Sequence, residues 1–520
     1  MNRAHAATML AASAVALVLV TAVSAASFTL GPLVLVSGTS SLNGCTADNA
    51  AGQTGTVYSN SEVEPWIDVN PSDTDNMIGI WQQDRWSNGG SRGLVAGVTM
   101  NGGATWSPAG NLKTSLCTGG TAGNRGNYQR ATDPWVTFGP GSTANPNGVA
   151  YQLSLSFNDV APPFTTSDFD HALLASRSLD GGATWSDPFV VIRDTAPTVF
   201  NDKQSITADP TNPNFVYAAW DRLVFPGSER ASVQASFRTS SFSGPFWFAR
   251  STNAGATWEP ARQIYDPGQR DQTIGNQIVV QPNGVLVNIF TEFNNENAKK
   301  QRGAFVRVLR STDRGTTWSG PFTIGRLGTI GVTDPHTGAP VRTGEIIPDI
   351  AVDPTSGRLS AVWQDASFNG GAADAIAFSQ SLDGGATWSA PIKVNQTPTN
   401  IPIGNQQAFT GSVDVSANGT VSVTYYDFRS NTGTPPLDTE YFIVHCHPAT
   451  PTTCANPASW IASEQALTTA PFDMTDAPNA GGFFTGDYEG LANAGNDFTP
   501  FFSMPHDDDP SSTFFRRAAG

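Results

Sequence analysis

The sequence predicts an all-β repeat fold, and three observations carry that expectation. An eight-residue turn motif occurs five times. A longer strand–turn–strand pattern occurs seven times, at a period of about seventy residues. The 520-residue composition suits turn-rich β structure, with 51 Gly, 36 Pro, 30 Phe and 13 Trp against only 14% charged residues.

The turn motif is clearest as Ser381–Leu–Asp–Gly–Gly–Ala–Thr–Trp388, repeated without change at 178–185. Related copies begin at Ser311, Ser251 and Thr99 and end at Trp318, Trp258 and Trp106. The frame is Ser/Thr-x-Asp/Asn-x-Gly-x-Thr-Trp. Its short acid or amide can accept hydrogen bonds from the turn's own N–H groups. Gly at the fifth place permits positive φ, and Trp can pack beneath the turn. Each copy is expected to join two antiparallel strands.

The longer repeat is an apolar strand, a turn, and a second strand ending in an aromatic and an acid. Pro65–Val69 leads to Ile80–Asp84, and Pro134–Phe138 to Tyr151–Leu155. Gln204–Ala208 leads to Tyr217–Asp221, and Gln277–Val280 to Ile289–Glu292. Pro348–Val352 leads to Val362–Asp365, Gly411–Val415 to Tyr425–Asp427, and Asp487–Leu491 to Phe498–Phe502. With its turn hairpin, each copy makes four strands, one blade of a β-propeller. Seven blades are favoured, with six as the alternative. The sixth copy lacks the turn motif and carries Cys446 and Cys454 in its place. The seventh lacks an outer strand, and residues 28–37 resemble the segment after each Trp. The amino terminus is therefore expected to close the ring and remove two exposed edges. Residues 27–520 read as one domain.

Residues 1–26 read as an export signal, with Arg3, an apolar run from Met9 to Val23, and small residues near Ala25. A retained anchor is the alternative, but the run is short for a span. Four Cys in an exported chain favour two disulfides, Cys45–Cys117 and Cys446–Cys454. His445–Cys446–His447 offers a metal site instead, without the second cluster that would complete one. The expected location is secreted or periplasmic, and the expected state a monomer. Formal charge is −16, and −17 once Arg3 is removed, which argues against a nucleic-acid partner. No cofactor is expected. His506–Asp–Asp–Asp509 could attract Ca²⁺, but it lacks EF-hand spacing and reads as a solvated acidic turn.

The five turns match the Asp-box, or BNR repeat, and from about residue 30 onward the chain resembles the sialidase-like β-propeller superfamily. The resemblance implies that the boxes lie opposite an active site. Strand-two ends and strand-one starts would then converge at the channel mouth. The former supply Asp84–Arg85, Asp221–Arg222, Glu292, Asp365 and Asp427–Phe–Arg429. The latter supply Arg130, Asp133, Asp202, Lys203, Asp349 and Asp487–Tyr488–Glu489, with Glu64 and Glu345 just upstream. Paired carboxyl groups suit glycosidic acid–base chemistry, and Arg suits a substrate carboxylate. The resemblance implies a Tyr nucleophile helped by Glu: Tyr488 with Glu489, flanked by Asp487, or Tyr425 and Tyr426 near Asp427. Asp84 or Asp221 would be the acid/base, with Glu292 and Asp427 further candidates. Arg85, Arg222 and Arg429 would form an anion clamp, with Arg130 nearby. The family's early Phe-Arg-Ile-Pro-type element is absent here, and seven repeats depart from the familiar six.

Insertions at 156–171, 222–247, 293–304, 320–346 and 429–440 are expected on the same face. Phe242, Phe246, Trp247 and Phe248 with Arg230 and Arg238 read as a sugar-stacking or partner-binding wall, or as a loop folded on itself. The expected function is an exo-acting glycoside hydrolase of sialidase type, working on extracellular glycans. The alternative is a non-catalytic propeller that binds glycan or protein through its loop-rich face. Recurrence of an acid at every strand end also admits a purely structural role for each.

Overall fold

The computed structural model describes residues 27–158, 170–196, 198–225, 243–294, 302–461 and 463–520. The proposed export signal and Arg230, Arg238 and Phe242 lie outside them. The described chain is all-β, with only short 3-10 turns as helix.

Successive four-stranded antiparallel units follow the sequence repeat. The first comprises Glu62–Val69, Met77–Arg85, Ser91–Thr99 and Ser107–Pro108. The second comprises Arg130–Gly139, Val149–Phe157, His171–Ser178 and Phe189–Asp194. The third comprises Val199–Ala208, Val216–Val224, Phe246–Ser251 and Arg262–Tyr265. The fourth comprises Gln272–Val280, Leu286–Asn294, Gly303–Ser311 and Ser319–Arg326. The fifth comprises Asp349–Val352, Leu359–Asp365, Ala375–Ser381 and Ile392–Lys393. The sixth comprises Ala408–Val415, Val421–Asp427, Asp438–Cys446 and Gln465–Ala466. The last comprises Gly490–Ala494, Asp497–His506 and Asp509–Phe515, and Val34–Leu35 pairs with Phe515 and Phe514 at its outer edge. The first strand of each unit packs on the first strand of the next, and Gly490–Ala494 packs on Glu62–Val69.

Stacking explains the sequence pattern. Second strands are covered on both faces, and Met77–Arg85, Val149–Phe157, Leu359–Asp365 and Val421–Asp427 are buried at every position. The core is a series of layers between neighbouring units. Trp363 belongs to one such cluster with Ile289 and Val308, and Trp220 to another with Leu153 and Leu155.

At the five motif turns the acid or amide accepts the N–H of Thr105, Thr184, Thr257, Thr317 or Thr387 at 2.8–3.0 Å. The fifth-place glycines all have positive φ. Trp185 is buried, whereas Trp318 and Trp388 are half-buried and donate to Gly315 and Gly385 carbonyls.

Cys45–Cys117 and Cys446–Cys454 are both bonded. Cys446 therefore has no thiolate to offer the alternative metal site. Among the described residues no helix is long and apolar enough to cross a membrane.

Several expected loops are corrected. Phe246, Trp247 and Phe248 belong to a strand, with Phe246 and Phe248 fully buried, so they are core rather than an exposed wall. The 320–346 insertion begins as an outer strand and then supplies Val332–Thr333 and Pro340–Arg342 to a small sheet, where Pro340–Arg342 pairs in parallel with Phe483–Phe484. Residues 438–440, at the end of the 429–440 insertion, already belong to a strand. In the last unit the first strand starts at Gly490, leaving Asp487, Tyr488 and Glu489 before it.

Candidate functional site

At the end opposite the motif turns, five inner strands share an irregularity. Pairing slips between Val63 and Trp66, Thr132 and Trp135, Asp202 and Ser205, Ile274 and Gln277, and Phe409 and Ser412. Each slip contains a residue with left-handed backbone: Glu64 at φ 52°, Asp133 at 51°, Lys203 at 48°, Gly275 at 71° and Thr410 at 50°. A bulge re-aims the side chain it carries. For a residue other than Gly this conformation costs roughly 1–2 kcal/mol, so the surroundings must hold it.

What holds three of them is a charge hub. Lys203 Nζ lies 3.2 Å from Glu64 Oε1, 2.8 Å from Asp133 Oδ1 and 2.7 Å from Asp487 Oδ2. Arg342 grips Asp487 with Nε at 2.9 Å and also with a terminal nitrogen. Gln82 donates to Glu64 and accepts from Arg85 at 2.6 Å. The Tyr488 ring lies 5.8 Å from Lys203 Nζ and meets edge-on both Trp66 and Trp135, which stack with centroids 3.6 Å apart. The Tyr488 hydroxyl donates to the Pro134 carbonyl at 3.2 Å.

Protonation divides within the hub. Burial pushes Glu64 up to about 8, with Lys203 opposing and Asp133 and Asp487 adding to the rise. Burial also raises Asp133. Burial works against the charge of Asp487 too, but Arg342 and Lys203 outweigh it and hold that carboxyl far below its ordinary range. Burial drives the Tyr488 phenol well above its usual value, helped by Glu64 and Asp133, so a phenolate is strongly disfavoured there. Burial, then Arg342, lowers Arg85 to about 10.

Space is scarce. The cavity lined by Trp66, Trp135, Gln277, Asp349, Asp487 and Tyr488 is about 30 Å³, and its neighbour beside Lys203 and Gln204 about 20 Å³. Small-molecule pockets usually run to ~300–1,000 Å³.

Of the residues expected to act, Asp487, Tyr488 and Arg85 come together at the hub. The others have separate partners. Asp84 accepts from Ser40 Oγ and the Asn60 N–H, both at 3.0 Å, and so anchors the N-terminal segment. Arg130 lies 4.2 Å over Trp86 and donates to Gln53, Asn88, Gly89 and Thr54. Asp221 accepts from the Gly275 N–H at 3.0 Å and from Asn276, and burial raises it well above its ordinary value. Arg222 pairs with Asp194 at 2.6 Å. Glu292 binds the Tyr265 hydroxyl at 2.8 Å and Arg307 at 3.0 Å. Asp427, Arg429 and Glu464 form their own group. Glu489 is buried, raised by burial, and accepts from the Ser503 N–H at 3.0 Å.

Glu64, Asp133 and Lys203 stand in the sequence as positions near strand starts, without a shared role. One signal was present: Glu64–Pro–Trp66 and Asp133–Pro–Trp135 repeat acid–Pro–Trp at matching places. Arg342 gave none, because it reaches Asp487 from an insertion.

No family model matches the sequence, and no curated protein matches it. Among solved structures, the chain is similar to a protein of unknown function from Dyadobacter fermentans at 14% identity and TM-score 0.43, over 74% of this chain and 94% of that one. It is similar to a Hadza microbial sialidase at 15% and 0.43, over 75% and 66%. It is similar to an alpha-L-arabinofuranosidase from Fusarium graminearum at 12% and 0.42, over 90% and 97%. Likeness at this level assigns no activity to the chain.

Proposed function

We propose that the chain is an exported, monomeric seven-bladed β-propeller, closed by its N-terminal strand, that binds glycan on the face opposite the motif turns, with its hub as a structural centre. The cyclic packing of inner strands and the pairing of Val34–Leu35 with Phe514–Phe515 support the ring. The two disulfides support an oxidising destination. Glycan as ligand rests on the Asp-box resemblance and on Trp66 and Tyr488, which are only half-buried where they line the small cavity.

The observation that carries the choice of binder over hydrolase is the Lys203 hub. Lys203 contacts all three of its buried carboxyl groups, and the adjoining cavity is only about 30 Å³. An acid/base pair needs a substrate between its members, and here Lys203 sits between them.

A second reading is favoured by one observation. Burial raises Glu64 to about 8 while Arg342 and Lys203 hold Asp487 far below its ordinary range, and divergent shifts of neighbouring carboxyls are how acid and base roles are divided. In that reading the chain is a sialidase-like glycoside hydrolase whose hub opens to substrate.

One preparation of folded mature protein tests both. Binding on a glycan array, with no turnover of a panel of aryl glycosides that includes an aryl sialoside, is the expected result. Turnover of any panel member sinks the binding-only reading.

A further inference from the structure

The face that carries the motif turns has a larger opening than the hub. An open cleft of about 340 Å³ lies between the third and fourth units, lined by Phe215, Arg250, Asn283, Asp313, Arg314 and Thr316, among others. That volume is within the range of small-molecule sites.

Arg314 sets this turn apart. The corresponding residues in the other four turns are Gly102, Gly181, Ala254 and Gly384. Arg314 sits at φ 55°, a left-handed backbone that suits Gly and strains a longer side chain. Its guanidinium lies 5.1 Å over the Phe215 ring and 3.5 Å from an Asp209 oxygen. That contact is made by its buried Nε and is an ion pair rather than a hydrogen bond, while the side chain as a whole is 40% exposed. Asp209 is already committed, accepting from the Tyr217 hydroxyl at 2.8 Å and from the Thr211 hydroxyl at 2.6 Å.

Arg250 forms a second cationic wall. It is held by Glu259 at 2.9 Å and donates to the Arg314 carbonyl at 2.6 Å and to Thr316 Oγ1 at 3.1 Å. Arg262 donates to the Gly315 carbonyl of the same turn. The acid on the lining, Asp313, is consumed by its turn: it accepts from the Thr317 N–H and hydroxyl and from the Ser311 hydroxyl. Three guanidinium groups thus gather on one turn of a chain whose formal charge is −16.

We propose that this cleft is an anion-binding site, in which Arg314, flanked by Arg250, takes the carboxylate or sulfate of an acidic sugar. The fork of Arg matches such groups and gives charge-assisted hydrogen bonds. The aromatic ring under the guanidinium restricts its freedom, so less is lost on binding. The site lies on the opposite face from the hub, and its failure would leave the reading of the hub untouched.

Isothermal titration of the mature chain at low salt tests it, with sodium glucuronate, sodium sulfate and glucose as separate probes. Saturable binding of at least one anion, no binding of glucose, and a loss of about tenfold or more in Arg314→Gly are expected. Gly is what three sibling turns carry, so this variant should keep its fold, checked by an unchanged or raised Tm. Glucuronate binding without sulfate binding assigns a sugar carboxylate, and the reverse assigns a sulfate ester. The proposal is overturned by equal binding in wild type and Arg314→Gly, by glucose binding as well as the anions, or by no anion binding at concentrations on the order of 50 mM.

Discussion

Within the motif turns, acids are exposed and answered locally. Asp313 is held down to about 2, first by the Thr317 hydroxyl and then by its N–H. At the other end acids are buried and answered from far along the chain. Glu64 is pushed up to about 8 while sharing Lys203, 139 residues away, with Asp133 and Asp487. The same functional group moves in opposite directions because the first keeps its water and gains donors, whereas the second loses its water and gains acid neighbours. A turn acid can therefore be replaced at little cost to the rest of the fold. A hub cation cannot be removed alone without stranding buried carboxyls.

The largest effect is expected from Lys203→Met. It leaves three buried carboxyls with Arg342 and Arg85 as their remaining nearby cations, and breaking a buried pair in this way costs about 3–5 kcal/mol. Chemical unfolding at pH 7 should show the loss, and at pH 5 it should shrink, because Asp133, which burial already raises, then accepts a proton more readily. A loss below about 1 kcal/mol at pH 7 would show that the hub does not hold the bulged strands.

Glu64→Gln sharpens the comparison through pH. The folded value of Glu64 lies above its ordinary one, so its contribution is fully present below about pH 4.5 and is lost as pH rises towards about 8. Gln mimics the protonated form and has no such loss. The stability of the variant relative to wild type should therefore climb between those pH values, by on the order of 2–4 kcal/mol at about 1.4 kcal/mol per unit. Unfolding free energies measured across pH 4.5–8.5 check this, and a flat difference would contradict it.

Asp313→Ala should act with the opposite sign of pH dependence and less force. Loss of the turn bonds costs about 1 kcal/mol at pH 7. Because the folded value is depressed, this contribution is present above about pH 4 and fades as pH falls towards about 2. Thermal unfolding at pH 7 and pH 2.5 should show the gap closing.

The contrast between the two ends also explains what could be read in advance. The turns were legible because all their partners fall within eight residues: Ser178, Asp180, Gly182 and Thr184 satisfy one another. The strand repeat was legible because period and burial follow the sequence. Both disulfides were legible from the number and placement of the Cys. The hub was not, since Glu64, Asp133, Lys203, Arg342 and Asp487 come from different units and an insertion, and a bulge re-aims the first three. Asp221 and Glu292 could not be sorted in advance, because an acid ending a strand looks the same whether it faces a substrate or staples its neighbour. Asp221 accepts the Gly275 N–H of the next unit.

The smallest effect is expected from Tyr488→Phe, which separates the two functional readings. The hydroxyl makes one bond, to the Pro134 carbonyl, at 3.2 Å. Its loss should cost about 0.5 kcal/mol, the low end for a single long hydrogen bond, because the ring contacts with Trp66 and Trp135 remain. If the hub is structural, glycan binding should be unchanged in this variant. A burial-raised phenol makes a poor nucleophile unless the hub opens and a base takes its proton. If wild type turns over an aryl glycoside, and Tyr488→Phe keeps its fold but loses turnover by ~100-fold or more, the phenol belongs to the chemistry. Glu64 and Asp487 would then be the acid pair to vary next.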